Sequence, residues 1–517
     1  MDEENISINN VSSKREFSIN VIISLIIIGT VGLILRILFL HEDLPLISDN
    51  FLYFRYSIDL LVGYDSPTDV VLNNGWSLFL YPFFAVLNSN NFMDYMMLQK
   101  YLSIILSVLT IIPIYFLCRQ FFNKQYSLIG STIFIFEPRI ILNSLFGITE
   151  PLYLIALTTS IFLFLNKKNY LQYASFAFLA SASVIRSEAL FIIPIFYIMF
   201  FIKSGINKKT IINLIIISCI VISILLPVSI LRNEQMETNG ITDRISSGIM
   251  HVSSTNQNTL SNIISFFVNG FINMIKFLGW SQIPYFILFV PIGFILFLKN
   301  LQFKQKTLLV IGLGSIIPSL YAYSVPALDS RYLFALYPIF TVISLYSIRY
   351  FFIKFKAQKI FLILIFSIIL SSSIFYLIWK DIDSEHELEA YNLAFEVSKI
   401  AKIVNAYPPE SSYLPIISLI EINDFPIKSE DYLKKRFVNF HYDKINSLQE
   451  MLEEGRKMGM THLVIDEKES RAVYLKEIFN NEEKYPYLIK EFDSKSSGYT
   501  YHLKVFKIDY EKIIRLN

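Results

Sequence analysis

Apolar residues fall into long blocks along this chain, separated by short polar connections. The first block, 19–40, is about long enough to cross a hydrocarbon core of roughly 30 Å at about 1.5 Å of helical rise per residue. Further blocks lie at 96–118, 126–136, 151–165, 170–185, 189–202, 210–231, 283–298, 307–323, 333–350 and 359–379. The pattern predicts about eleven membrane-crossing helices, several of them short. Two long connections interrupt it. One is 41–95; the other is 232–280, polar at first and apolar over 263–277, where a helix lying along the membrane surface is expected. Block 126–136 runs into Glu137-Pro138-Arg139, and the next is opened by Gly147-Ile148-Thr149-Glu150-Pro151. Proline suits the first turn of a helix, and a re-entrant segment between the two needs protein around it to satisfy its backbone.

Beyond residue 380 the pattern changes. Leu388, Tyr391, Val397, Ile400, Ala401 and Val404 recur at helical spacing, as do Ile445, Leu448, Leu452 and Gly455, while 414–420, 462–466 and 501–508 are strand-like. The expected organisation is a polar N-terminal tail at 1–17, a transmembrane domain at 18–380 with its two long connections on the outer side, and a soluble α/β domain at 381–517. Charge density supports the boundary: about a ninth of residues are charged before Trp379 and about a third after it.

Composition agrees with the block pattern. The chain is 54% hydrophobic and 15% aromatic, with a mean hydropathy of +0.49, a surface that a soluble enzyme of 517 residues would not tolerate. A net charge of +2 gives no footprint for nucleic acid. The basic residues are informative by position. Arg119/Lys124, Lys167/Lys168, Lys203/Lys208/Lys209, Lys299/Lys304/Lys306 and Arg349/Lys354/Lys356/Lys359 fall on the same side as Lys14 and Arg15. The positive-inside rule makes that side cytoplasmic, and an odd number of crossings sends 41–95 and the C-terminal domain to the outer face. No small-residue cleavage site follows the first block, which therefore reads as an anchor. Cys118 and Cys219 lie inside apolar blocks as small hydrophobes, and the six histidines are too dispersed for a metal site.

Ionisable side chains are costly at membrane depth, and here they gather at the outer ends of the blocks: Asp49, Arg55, Glu137, Arg139, Glu150, Arg186, Glu188, Arg232, Asp329 and Arg331. Each has a structural reading. Asp49 alone is a solvated loop acid, Arg186 with Glu188 a local ion pair, Glu150 an acid at a helix start, and Arg331 an interfacial anchor. Their selection of one face raises the functional reading. Outer arginines run against the positive-inside bias, and a planar guanidinium matches a phosphate, so a lipid phosphate at the outer surface is the natural ligand.

Five motifs carry a resemblance. Asp49 after the first block with aromatic residues following, Asn73-Asn74-Gly75-Trp76, Thr149-Glu150-Pro151-Leu152, Arg186-Ser187-Glu188-Ala189-Leu190 and Ser330-Arg331-Tyr332-Leu333 resemble the C-type (GT-C) membrane glycosyltransferases. The branch is that of the dolichyl-phosphate-mannose protein mannosyltransferases and aminoarabinose transferases, archaeal members in particular, and the resemblance covers 18–380. It implies a GT-C-like helical fold and transfer of a sugar, a hexose such as mannose, from a polyprenyl (dolichyl) phosphate donor to an extracytoplasmic acceptor by inverting displacement. Asp49 takes the place of the general base. Arg139, Arg186 and Arg331 are the candidates for the donor phosphate, with Glu137, Glu150 and Glu188 as supporting acids. A divalent cation, Mg²⁺ or Mn²⁺, would fall to Asp49 with Glu137 or Glu150.

The partners implied are the bilayer, the lipid-linked donor, and a protein, lipid or glycan acceptor. Asn50 follows Asp49 where protein mannosyltransferases often carry Asp-Glu, which leaves the acceptor class open. The Trp-Trp-Asp-Tyr-Gly signature of oligosaccharyltransferases is absent, so a single sugar rather than a preassembled chain is expected. Two other readings remain: a transporter or lipid flippase, which would favour repeats and mid-span charges that the sequence lacks, and a non-catalytic subunit of envelope glycan assembly.

Overall fold

In the computed structural model, residues 19–46, 49–62, 73–236, 259–325, 328–380, 384–401, 403–406, 437–439, 445, 447–467 and 472–516 are described. The tail at 1–17, residues 237–258 of the second long connection and the strand expected at 414–420 lie outside them.

All eleven apolar blocks fall on helices, and the chain is a multi-pass membrane protein. Helix α1 is Ile19–Leu38; α2, Asp49–Val62, and α3, Gly75–Leu87, come from the first long connection. Helices α4, Phe92–Leu109, and α5, Ile111–Arg119, form one nearly continuous span. Helices α6, Lys124–Ile135, and α7, Pro138–Leu145, meet at 50°. Then come α8, Glu150–Phe164, α9, Asn169–Ile185, a 3-10 turn at Ser187–Phe191, α10, Ile193–Ser204, and α11, Lys208–Met236. The remaining membrane helices are Thr259–Ser281, Phe286–Leu298, Phe303–Ser324, Tyr337–Lys354 and Gln358–Trp379, with a 3-10 turn at Ser330–Leu336.

Among the described residues seven helices are long and apolar enough to cross a membrane, or nine if each of two bent pairs is one span. The difference from eleven lies in α8 and α9, whose 15 and 17 residues fall short of the roughly 20 that a crossing takes. They form one hairpin, with the Ser160 hydroxyl donating to the Ser175 carbonyl at 2.7 Å, so they cross together or not at all. The second bent pair, Ile264–Ser281 with Phe286–Leu298, turns through 109°, enough for one arm to cross while the other runs along the surface where 263–277 is expected.

The break between α6 and α7 follows from Pro138, which cannot donate a backbone hydrogen bond. The surroundings satisfy the carbonyls beside it. Ile133 accepts from the Tyr285 hydroxyl at 2.5 Å, Ile135 from Arg36 Nη2 at 3.3 Å, and Phe136 from the Ser373 hydroxyl at 2.6 Å. This is the surrounding protein that a broken helix needs in hydrocarbon.

The C-terminal segment folds as a five-stranded sheet in the order β2-β1-β3-β5-β4. Strand β1, Val404–Ala406, runs parallel to β2, Phe437–Asn439, and to β3, His462–Asp466; β5, Leu503–Ile508, is antiparallel to β3 and to β4, Leu488–Asp493. Helix Ser384–Ile400 bridges the two parts of the molecule. Its Glu389 accepts the Tyr501 backbone N–H at 2.9 Å, and its Tyr391 packs on the aromatic cluster of α2, α3 and α4.

Candidate active site

Asp49 is the first residue of α2, where the positive end of the helix dipole favours a carboxylate. Arg331 Nη2 donates to its Oδ2 at 2.7 Å, while Arg331 Nε lies 3.3 Å from Asp329 Oδ2. Asp329 also caps the Ser330–Leu336 turn by accepting the Arg331 backbone N–H at 2.9 Å. This trio is open to solvent: Asp49 is 45% exposed and Asp329 52%, with Arg331 at 24%.

Arg186 sits where α9 ends and the Ser187–Phe191 turn begins, and it is buried. Its Nη1 contacts Glu150 Oε1 and its Nη2 donates to Glu188 Oε1 at 2.6 Å; Thr149 Oγ1 is 3.4 Å from Nη1. Glu150 opens α8 beside Pro151. Its carboxylate also acts electrostatically on Arg331, and Tyr53 on α2 interacts with Asp49, Glu150 and Arg186. Asn73 joins the group by accepting the Ser187 backbone N–H at 3.1 Å. Asp49, Glu150, Glu188 and Asp329 are thus gathered around Arg186 and Arg331, although they come from widely separated parts of the chain.

Glu137 and Arg139 belong to a second group. Both are buried; Arg139 Nη1 is 3.5 Å from Glu137 Oε1 and also contacts the Ile283 carbonyl, and Nη2 donates to the Trp280 carbonyl at 2.7 Å. The guanidinium lies over the Tyr376 ring at 4.7 Å. The break at Pro138 aims Arg139 at carbonyls of the bent pair, while Arg186 and Arg331 take the other four acids. Asp49 is held by Arg331 and Glu137 by Arg139, and among the described residues no group of three or more His, Cys, Asp or Glu side chains is arranged to hold a metal ion.

Sequence reasoning passed over two buried cations. Arg36 is fully buried and donates to Gly32 O at 2.9 Å, Ser107 Oγ at 2.9 Å and Ser144 Oγ at 3.2 Å, which clamps α1, α4 and α7. Lys100 donates to the carbonyls of His41 at 3.0 Å and Leu44 at 2.7 Å, fixing the chain that leads to Asp49. Beside it, Gln99 Nε2 donates to Asn50 O at 3.1 Å and to Gly147 O at 2.7 Å. The signal was a cation inside or at the end of an apolar block, the same cost that singled out the outer residues.

An apolar groove of about 790 Å³ adjoins the first group, lined from α3, α4, α5, α8, α9 and α11. Three lining residues mark the end near that group: Gly75 two positions after Asn73, Leu152 two after Glu150, and Ile185 directly before Arg186. Away from that end its walls are mostly aliphatic and phenylalanine side chains, Phe79, Phe116, Phe162 and Phe178 among them.

The architecture defines a class: polytopic helical membrane proteins that carry a small C-terminal α/β domain. Solved structures share it. The chain is similar to ArnT from Cupriavidus metallidurans bound to undecaprenyl phosphate, at 8% identity, with 95% of this chain and 97% of that one covered and a TM-score of 0.58. It is similar to the archaeal oligosaccharyltransferase AglB from Archaeoglobus fulgidus in complex with an inhibitory peptide and a dolichol-phosphate, at 11% identity, 93% and 74% coverage and a TM-score of 0.56. A complex of the Archaeoglobus fulgidus oligosaccharyltransferase with Zn and sulfate matches at 12% identity, 86% and 68% coverage and a TM-score of 0.53. At such identities the likeness establishes a common fold. No protein-family description matches the sequence, and no curated protein sequence matches it.

Proposed function

We propose that this chain is a membrane glycosyltransferase that moves a sugar from a polyprenyl phosphate to an acceptor on the extracytoplasmic side. The observation that carries the reading is the junction of a long apolar groove with a cluster holding two guanidinium groups and a solvent-open carboxylate. A polyprenyl phosphate is a long apolar chain ending in an anion, and ArnT and AglB, which share the fold, are seen with undecaprenyl phosphate and dolichol-phosphate.

Asp49 acts as general base. It removes the acceptor hydroxyl proton as the acceptor oxygen bonds to the anomeric carbon, while the bond from that carbon to the phosphate oxygen breaks and leaves its electron pair on the phosphate. Attack opposite the leaving group inverts the configuration. Arg331 meets the phosphate, because it is the less buried guanidinium and its partners are exposed carboxylates. The donor phosphate draws Arg331 away from Asp49 Oδ2, so that binding the donor releases the base. Arg186, already held by two acids, positions Glu150 and the groove mouth. Arg139 holds the bent pair and takes no phosphate. No step is assigned to a cation.

The lysine- and arginine-rich connections, which carry no acidic residue at 119–124, 165–168, 203–209, 299–306 or 349–359, support a cytoplasmic inner face. With both bent pairs crossing, the count is nine or eleven, and either odd number would put the C-terminal domain on the side opposite the N-terminus. The absent Trp-Trp-Asp-Tyr-Gly signature supports transfer of a single sugar.

The test is turnover of a labelled polyprenyl-phosphate sugar by purified protein in liposomes. Wild type is expected to transfer label, and Asp49→Asn to lose about 10²- to 10⁴-fold while still inserting and accumulating. Full activity in that variant would remove Asp49 from its role, and donor binding without turnover in wild type would favour a non-catalytic reading.

A further inference from the structure

The C-terminal domain carries a cleft of its own, about 110 Å³, between helix Leu448–Lys457 and the C-terminal helix Tyr510–Leu516. On the first helix Gln449, Glu453 and Arg456 stand at i, i+4 and i+7, a single stripe facing the cleft. The opposite wall presents the phenols of Tyr487 and Tyr510. That wall is braced: the Asp509 backbone N–H donates to Tyr487 O at 2.9 Å, and Lys512 Nζ donates to Pro486 O at 2.9 Å.

The Tyr510 hydroxyl is buried and has no hydrogen-bond partner among the described residues, which is costly unless something else supplies one. Burial pushes its phenol up to about 12 against the pull of Arg456, so at neutral pH it keeps its proton and can both donate and accept. The Arg456 guanidinium lies over the Tyr510 ring with its carbon 5.8 Å from the centroid, exposed, and forms no ion pair among the described residues.

We propose that this cleft binds one sugar ring. A pyranose has an apolar C–H face and a rim of neighbouring hydroxyls. Phenol rings pack on the first, and the rim is bound by a carboxylate that accepts from hydroxyls, a guanidinium that donates to them and an amide that does both. Glu453, which takes the Gln449 amide at 3.0 Å, sets the cleft against an anion and supplies an acceptor that hydroxyls can use. The proposal rests on the transferase reading only in assigning that ring to a glycan on the acceptor.

The experiment is saturation-transfer NMR on the full-length protein in nanodiscs, with methyl glycosides of mannose, glucose, galactose and N-acetylglucosamine as probes. At least one is expected to bind saturably, with affinity reduced tenfold or more by Arg456→Ala and several-fold by Tyr510→Phe, which preserves the packing. Asp49→Asn is expected to leave this binding unchanged, so a failed transferase reading shows as absent turnover with the glycoside signal intact. Absence of saturable binding by every probe overturns the proposal. So does binding of equal strength in wild type and the Arg456→Ala, Tyr510→Phe double variant.

Discussion

Asp49 and Arg331 hold one another at 2.7 Å across 282 positions of sequence, and this contact joins the proposed base to the proposed phosphate contact. Hydrogen bonds to charged groups contribute about 1.5–3 kcal/mol, so Arg331→Ala is expected to raise the donor KM roughly tenfold or more, with a smaller effect for Arg331→Lys. Donor kinetics in liposomes decide it, and an unchanged KM in Arg331→Ala would take Arg331 off the phosphate. Arg186 is a different case, because it lies between two carboxylates that are themselves 1% and 12% exposed. Arg186→Ala removes the guanidinium that both acids contact and is expected to cost about 3–5 kcal/mol of stability. The loss should read as a lower melting temperature that Glu150→Gln with Glu188→Gln partly restores; no loss would mean that water reaches these acids. Most of these residues were legible in the sequence, as outer charges that no bilayer tolerates idly. Their partition was not: short motifs say nothing of where a guanidinium points, and Pro138 turns Arg139 toward carbonyls of a span some 140 positions away.

The eleven apolar blocks were legible as helices, and the Glu137-Pro138-Arg139 break could be read from proline chemistry alone. Strands β1 and β2 could not, because three residues are too few to display a period of two. Where helices approach closely, a single glycine decides the spacing. A Cβ on Gly75 would lie 2.7 Å from the Ile185 backbone, at the junction of α3 with the end of α9, one residue from Arg186. Gly75→Ala is therefore expected to push α3 off α9, to lower the melting temperature and to reduce transfer. Gly279→Ala, where nothing lies within 4 Å, is the matched control. Equal behaviour of the two variants would show that the α3–α9 contact does not shape the site.

At the scale of the molecule, the apolar groove and the charged cluster are made by different elements and acquire meaning only where they meet. Composition reveals the membrane, but the groove depends on the relative placement of six helices, which no local pattern encodes. Helix Ser384–Ile400 ties the same region to the C-terminal sheet through Tyr391 and Glu389. The most direct measurement is cryo-imaging of the purified protein with a bound polyprenyl phosphate. The account predicts the phosphate against Arg331, close to Asp49, with the isoprenoid chain along Phe79, Leu152 and Phe178. A phosphate seated on Arg139, or a chain lying outside that groove, would contradict it.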